Sequence, residues 1–517
     1  MKGVDKYLLT LLIFTSILAI ILVQIQSKIG VYYWDIFFYL NNAAKMAGIG
    51  ASDTLYLPPF LSYLTSLIFK LGYVSETALF IVSAIFYVLG VIALYLILKL
   101  KFSEVESFLG ATAFATFTLI IMWAVSGALD VPSISLALWS LYFALLGVKK
   151  NSRYLYFVFP VAVLSFLTRY TSALIIFPLI LTFYIYKERI DIKKIVASIG
   201  IGVFIYYEFY EFLKQFGQKN IVPFIKYSTG GAVSSTNPGY NLDFLYYLKY
   251  IPQYISAKVI HNYEDMLWPS NSEPTLISYL ILIFIIIGII PFTFKNPKKY
   301  LLPTILAIVL ALSIYFNFPF YIAEFIMFGM ILSLYRNLKD KRLALDLIFL
   351  TWFLSFFILH TLHPVKVDRY FITMTPALAY AFTLGVHKFS KVTKIKNIAT
   401  VLLTLIIFNT GIYLIEMPKS DPWVQSEKLA AEWLKKYDPD YKYKIIASDR
   451  GPAFTWYLKK YVFTRIYSES DKELFWRLMN KAPPYYYIHS DTSKSVPLHG
   501  YYPIKKIGQV VIYKREM

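Results

Sequence analysis

The 517-residue chain has no cysteine, and charged residues make up only 16% of it, against about 25% in ordinary soluble domains. The first absence excludes disulfides, thiolate-held zinc and a cysteine nucleophile. The second excludes a surface covered throughout by solvated charge. Acidic residues are the scarcer kind, 31 Asp and Glu against 51 Lys and Arg, for a formal charge of +20. No internal repeat or low-complexity tract is visible. The chain is instead 58% hydrophobic and 19% aromatic, with a mean hydropathy of +0.55. That composition is that of a polytopic membrane protein. Its positive charge would point to nucleic acid only if it formed a patch on a soluble domain.

Runs of roughly 17 or more apolar residues are candidate membrane spans. They fall at 7–26, 77–98, 107–125, 129–147, 153–168, 170–186, 194–212, 275–294, 301–316, 318–335, 344–361, 370–387 and 397–416, about thirteen in all. If each crosses once, Lys2 and Lys6, Lys99 and Lys101, Lys149 to Arg153, Lys187 to Lys194, Lys295 to Lys299, Arg336 to Arg342 and Lys388 to Lys396 all lie on one side. Cytoplasmic loops carry such an excess of Lys and Arg, so the N-terminus is expected inside. The basicity is then mostly a topology signal, and no nucleic-acid partner is expected. The first run reads as an integrated helix and not as a cleaved signal.

Three stretches remain for the outer face: 27–75, 213–274 and 417–517. Residues 1–416 are expected to form the transmembrane domain. Residues 417–517 change composition, with helical patterns at 424–436, 453–460 and 471–480 and strand-like KIIASD, YYYIHS and QVVIYK. This predicts a small extracytoplasmic α/β domain. The fold expected is an α-helical multi-pass membrane protein with interfacial helices on its outer face.

Charge near a membrane is costly unless functional, paired or interfacial. Asp35, in VYYWDIFFYLNN, opens an amphipathic stretch whose polar stripe is Asn41, Asn42 and Lys45, an interfacial helix in pattern, and as an N-cap it would accept backbone N–H bonds. Asp130, before Val131-Pro132, opens a helix in the same way. Arg169 ends the fifth run. The densest outward cluster is HTLHPVKVDRYF, with His360, His363, Lys366, Asp368 and Arg369. It reads either as a rim of snorkelling cations or as a binding group; His360 and His363 have metal-ligand spacing without an identifiable third ligand. Glu208, Glu211 and Glu324 are second-tier candidates.

These features follow an order: WDIFFYLNNA, then LYLPPFLSYL and KLG, then Asp130-Val131-Pro132, Leu167-Thr168-Arg169, and Arg369-Tyr370 with Pro376. The set resembles the C superfamily of glycosyltransferases (GT-C), particularly the branch of protein O-mannosyltransferases and the lipid A aminoarabinose transferase, over the whole membrane portion. The resemblance implies an enzyme that takes a sugar, a mannose-like hexose or a relative, from a polyprenyl or dolichyl phosphate carrier. It would pass that sugar with inversion to a protein, lipid or glycan acceptor outside the cytoplasm. Asp35 matches the family's first-loop acid, Asp130 its second essential aspartate, and Arg169 the basic residue ending the fifth span. Two positions depart from the pattern: the usual Asp-Glu pair is Asp35-Ile36, and the usual Lys-Pro-Pro is Leu57-Pro58-Pro59.

Such a transfer needs a base for the acceptor hydroxyl and positive charge for the departing phosphate. Asp35 is the expected base, and Asp130 orients the acceptor or a clamp arginine. Arg169, Lys366 and Arg369 are the expected phosphate clamp, with His363 as a further donor. Tyr33, Trp34 and Tyr370 are expected to line the substrate groove. No cofactor is required, and protein cations make a divalent metal optional. Competing readings are a lipid-linked sugar flippase or transporter, which would favour internal repeats, and an oligosaccharyltransferase-like enzyme, whose Trp-Trp-Asp-type motif SDRGPAFTWYLKKY does not match.

Overall fold

The structure is a computed structural model that describes residues 5–50, 58–217, 225–226, 229–230, 239–290, 300–338, 340–395, 397–491 and 496–516. Leu57 lies outside them. Each of the thirteen apolar runs is mostly helical over its described residues; residues 291–294 of the eighth run lie outside them. Among the described residues, six helices are long and apolar enough to cross a membrane unaided: Lys6–Ile29, Glu76–Leu98, Asp130–Lys149, Ile192–Lys214, Lys341–Leu362 and Ile398–Glu416.

The other runs are shorter, interrupted or less apolar, and prolines account for several of the interruptions. Pro160, Pro178 and Pro376 stand within the first turns of Val158–Thr168, Ile176–Ile185 and Thr375–Thr393, where a missing N–H costs no intrahelical bond. In each case a 3-10 turn precedes the helix: Ser152–Phe157, Tyr170–Ile175 and Asp368–Met374. Pro132 occupies the same early position in Asp130–Lys149. The run at 107–125 breaks instead at Phe117, between Glu104–Thr116 and Thr118–Trp123.

Two compact units are formed. The first comprises residues 1–22, 83–215 and 219–417; the second comprises 23–82, 216–218 and 418–517. Within the first, the helices Leu276–Ile289 and Thr375–Thr393 meet backbone to backbone. A methyl on Gly385 would collide with the Phe284 carbonyl oxygen, and one on Gly288 with that of Ala381. Small residues at a crossing are how helices gain close packing where lipid offers no hydrophobic drive. Gly385→Val is expected to cost about 1–3 kcal/mol through overpacking, seen as a lowered Tm of the solubilised protein. Gly411→Ala, with open space where its Cβ would stand, should leave Tm unlowered.

The second unit joins the helices Trp34–Met46 and Phe60–Lys70 to a five-stranded sheet. Its strands are β1 Ile446–Ser448, β2 Phe463–Thr464, β3 Tyr486–His489, β4 Tyr501–Ile507 and β5 Val510–Arg515. The order is β2-β1-β3-β5-β4, parallel among β2, β1 and β3 and antiparallel from β3 to β5 to β4. The helices Pro422–Tyr437 and Gly451–Leu458 cover one face through Ala430, Leu434, Phe454, Ile446, Ile488 and Ile512. Lys472–Lys481 contributes Phe475 and Met479 to a second core with Ala447 and Tyr487. All three expected helices and three expected strands are present. β2 and β4 were not expected; β4 is an edge strand carrying Pro503, Lys505 and Lys506, residue types that protect edges and weaken the strand pattern.

Two local expectations are corrected. Asn41 and Asn42 are buried and do not form a solvated stripe; Asn41 Nδ2 donates to the Pro452 carbonyl at 2.8 Å. Nor is Asp35 the N-cap, which is Tyr33 with no side-chain cap bond. Asp35 lies in the helix's first turn, where a carboxylate still complements the positive end of the helix dipole.

Candidate functional site

Helix Asp130–Lys149 starts at Asp130, buried at 2% exposure. A membrane-embedded carboxylate at this depth requires a partner, and Arg169 provides it through a direct ion pair. Arg169 has extended backbone at the junction between Val158–Thr168 and the turn Tyr170–Ile175. That break in the helix is what lets its side chain turn toward Asp130.

Tyr370 is the hub of the grouping. The Arg169 guanidinium lies over its ring at 5.0 Å and that of Arg369 at 5.9 Å. His360 stacks on it at 5.0 Å, and His363 meets it edge-on at 5.8 Å. Arg369 also lies over Trp123, at 5.6 Å. Ring faces attract guanidinium groups, so the aromatic rings hold two cations close together in a region with little water. Neither Trp123, hidden in an apolar run, nor the stacking role of His360 was signalled by the sequence.

The segment 366–370 is fixed from outside the hub. Asp368 accepts hydrogen bonds from Tyr246 Oη at 2.7 Å, Tyr254 Oη at 3.0 Å and the Ser270 backbone N–H at 2.8 Å. Burial pushes its carboxyl upward, opposed by those donors. Lys366 donates to the carbonyls of His360 at 3.1 Å, Thr361 at 2.6 Å and His363 at 2.7 Å. These lie at the end of helix Ala344–Leu362, where carbonyls lack intrahelical partners. Burial pushes the Lys366 ammonium down to about 8. The structure thus gathers Asp130, Arg169, Arg369, Tyr370 and His363, while Lys366 serves the helix end. Among the described residues no group of three or more His, Cys, Asp or Glu side chains could hold a metal. Of the second-tier acids, Glu211 pairs with Lys214 at 2.7 Å, Glu208 is exposed and Glu324 is buried.

Asp35, Tyr33 and Trp34 belong to the second unit, where all three are half-buried. Trp34 packs edge-on against Phe38 at 6.0 Å. A buried network stands beside this stretch. Arg450 Nε donates to Glu427 Oε1 at 2.9 Å, and its Nη2 donates to the Tyr32 carbonyl at 2.8 Å. Its guanidinium lies over Trp423 at 4.5 Å and Phe37 at 5.6 Å. Ser490 Oγ donates to Glu427 Oε1 at 2.8 Å. Burial raises the Glu427 carboxyl, and the charge of Arg450 opposes this.

Residues 57–208 match the family described as dolichyl-phosphate-mannose-protein mannosyltransferase. The fold is similar to that of ArnT from Cupriavidus metallidurans bound to undecaprenyl phosphate, with a TM-score of 0.59, 11% identity and 97% of each chain covered. ArnT in the apo state gives 0.58 at 10% identity, again over 97% of each chain. The archaeal oligosaccharyltransferase AglB from Archaeoglobus fulgidus, in complex with an inhibitory peptide and a dolichol-phosphate, gives 0.50 at 13% identity, over 94% of this chain and 69% of the other. No curated protein sequence matches the chain significantly. The chain therefore shares its fold with ArnT and AglB, in keeping with the fold that the order of its motifs led us to expect.

Proposed function

We propose that the protein transfers a sugar, a mannose-like hexose or a relative, from a polyprenyl or dolichyl phosphate carrier to an extracytoplasmic protein, lipid or glycan. The observation carrying this reading is the pair of guanidinium groups on Tyr370, one of them held by Asp130. Arg presents a planar fork of five donors suited to phosphate oxygens. An apolar cavity of about 200 Å³ is lined by Tyr170, the residue after Arg169, with Phe166, Leu174, Phe320 and Leu359, a lining suited to an isoprenoid chain.

The acceptor oxygen attacks the anomeric carbon as the bond from that carbon to the phosphate oxygen breaks, with inversion. The acceptor proton passes to Asp35, and the negative charge left on the lipid phosphate is met by Arg169 and Arg369, with His363 as a donor. Asp130 orients Arg169. Asp35 enters through the sequence resemblance, with Tyr33, Trp34 and Tyr370 lining the groove. The basic loops support a cytoplasmic N-terminus and a site on the opposite side of the cell membrane.

The test is sugar transfer by full-length protein in proteoliposomes. Transfer is expected from a polyprenyl-phosphate mannose and not from GDP-mannose. Movement of the lipid-linked sugar across the bilayer without transfer would favour the flippase reading, and transfer from the nucleotide sugar alone would overturn the proposal.

A further inference from the structure

The second unit contains a cleft that the transfer reaction does not use. It has a volume of about 330 Å³ and lies between the end of helix Lys6–Ile29, the start of Glu76–Leu98 and the helices Pro422–Tyr437 and Gly451–Leu458. Lys428, Lys435 and Lys459 line it, with Trp456 and Tyr457. Of its two carboxylates, Glu76 is engaged by Lys428 Nζ at 2.9 Å and Trp456 Nε1 at 3.1 Å, and Glu432 is exposed. Lys435 and Lys459 have no ion-pair partner among the described residues. Lys459 holds its Nζ 3.2 Å from the centre of the Trp456 ring. The buried Tyr457 hydroxyl has no hydrogen-bond partner among the described residues. Three ammonium groups against two carboxylates, with an unmatched hydroxyl donor in the wall, make a site for an oxyanion.

The surroundings decide what bears that anion. The turn at 71–74 leads from helix Phe60–Lys70 into the spanning helix Glu76–Leu98, so the cleft lies where that span leaves the apolar layer. Beside it Leu71 is 87% exposed, and Tyr73, Val74 and Leu67 are exposed as well. An apolar rim next to a cationic cleft matches a lipid, with acyl chains against the rim and headgroup in the cleft.

We infer that this cleft binds the phosphate of an anionic phospholipid, with Lys435 and Lys459 as its principal contacts. The inference does not depend on the transferase reading, and its test reads binding and not sugar transfer. Full-length protein in a neutral detergent would be titrated with phosphatidylglycerol, phosphatidylcholine or inorganic phosphate, following Tm and the lipids retained in native mass spectrometry.

Phosphatidylglycerol is expected to raise Tm and be retained where phosphatidylcholine is not. Lys435→Gln with Lys459→Gln should weaken that binding roughly tenfold per lysine, the scale of a lost charge-assisted hydrogen bond. Lys435→Arg with Lys459→Arg should preserve it, which separates charge from folding. Saturation by inorganic phosphate alone would keep the anion site and assign it to free phosphate. Equal effects of the two lipids without any phosphate effect, or undiminished phosphatidylglycerol binding in the Gln pair, would overturn the inference.

Discussion

Asp35→Asn is expected to lower the turnover of sugar transfer by roughly 10²–10⁴-fold, the usual contribution of a positioned base, while the protein stays folded, as read by Tm. The amide keeps the shape of the side chain and removes the proton acceptor. The helix-dipole share of its structural cost is the loss of one first-turn carboxylate at a helix N-terminus, about 0.3–1 kcal/mol. The residue that follows is Ile36, so no neighbouring carboxylate can take over. Initial rates at saturating lipid-linked donor, measured beside Tm, check this. Wild-type turnover in the variant would remove Asp35 from the reaction.

Arg169→Ala should lose on two counts. Removing a charge-stabilising donor typically costs 10²–10³-fold in kcat. Here it also leaves Asp130 as a buried carboxylate without its ion-pair partner, and breaking such a pair costs about 3–5 kcal/mol. The two losses are separable. Adding Asp130→Asn to Arg169→Ala removes the stranded charge, so Tm should recover in large part while turnover stays low. Arg169→Lys keeps one positive charge but not the planar fork over Tyr370, so it should fold better than Ala and still transfer poorly. If the double variant regained both Tm and turnover, Arg169 would be a structural residue and the phosphate would be held elsewhere.

Much of the fold was legible because lipid imposes a simple rule: apolar runs of sufficient length become helices. Asp130-Val131-Pro132 also marked a helix start correctly, whereas the helices at Val158, Ile176 and Thr375 begin several residues inside their apolar runs. The break at Phe117 was not legible, having neither proline nor glycine to announce it. The site was legible as a set of charges and not as a geometry. Asp130 and Arg169 could be named from their positions, but their pairing depends on an extended residue at the end of a helix. Lys366 looked like a clamp because an interfacial lysine near an arginine suggests one; the sequence does not show three carbonyls waiting at a helix end. Asn41 and Asn42 misled for a similar reason, since the group Asn41 satisfies is 411 positions away.

That separation has a consequence for biosynthesis. The Tyr32 carbonyl bonded by Arg450 lies 418 residues ahead of it in the chain, and Glu427, which holds Arg450, is likewise made near the end. At about 5–20 residues per second, the segment around Tyr32 is made roughly 20–80 s before its partners exist. During that interval the stretch carrying Asp35 lacks both the helix Gly451–Leu458, whose Pro452 carbonyl takes up Asn41, and the guanidinium that ties down Tyr32. The ribosome therefore completes the surroundings of this aspartate only with the last hundred or so residues, and a chain interrupted before that point inserts its helices but leaves the loop unbuilt.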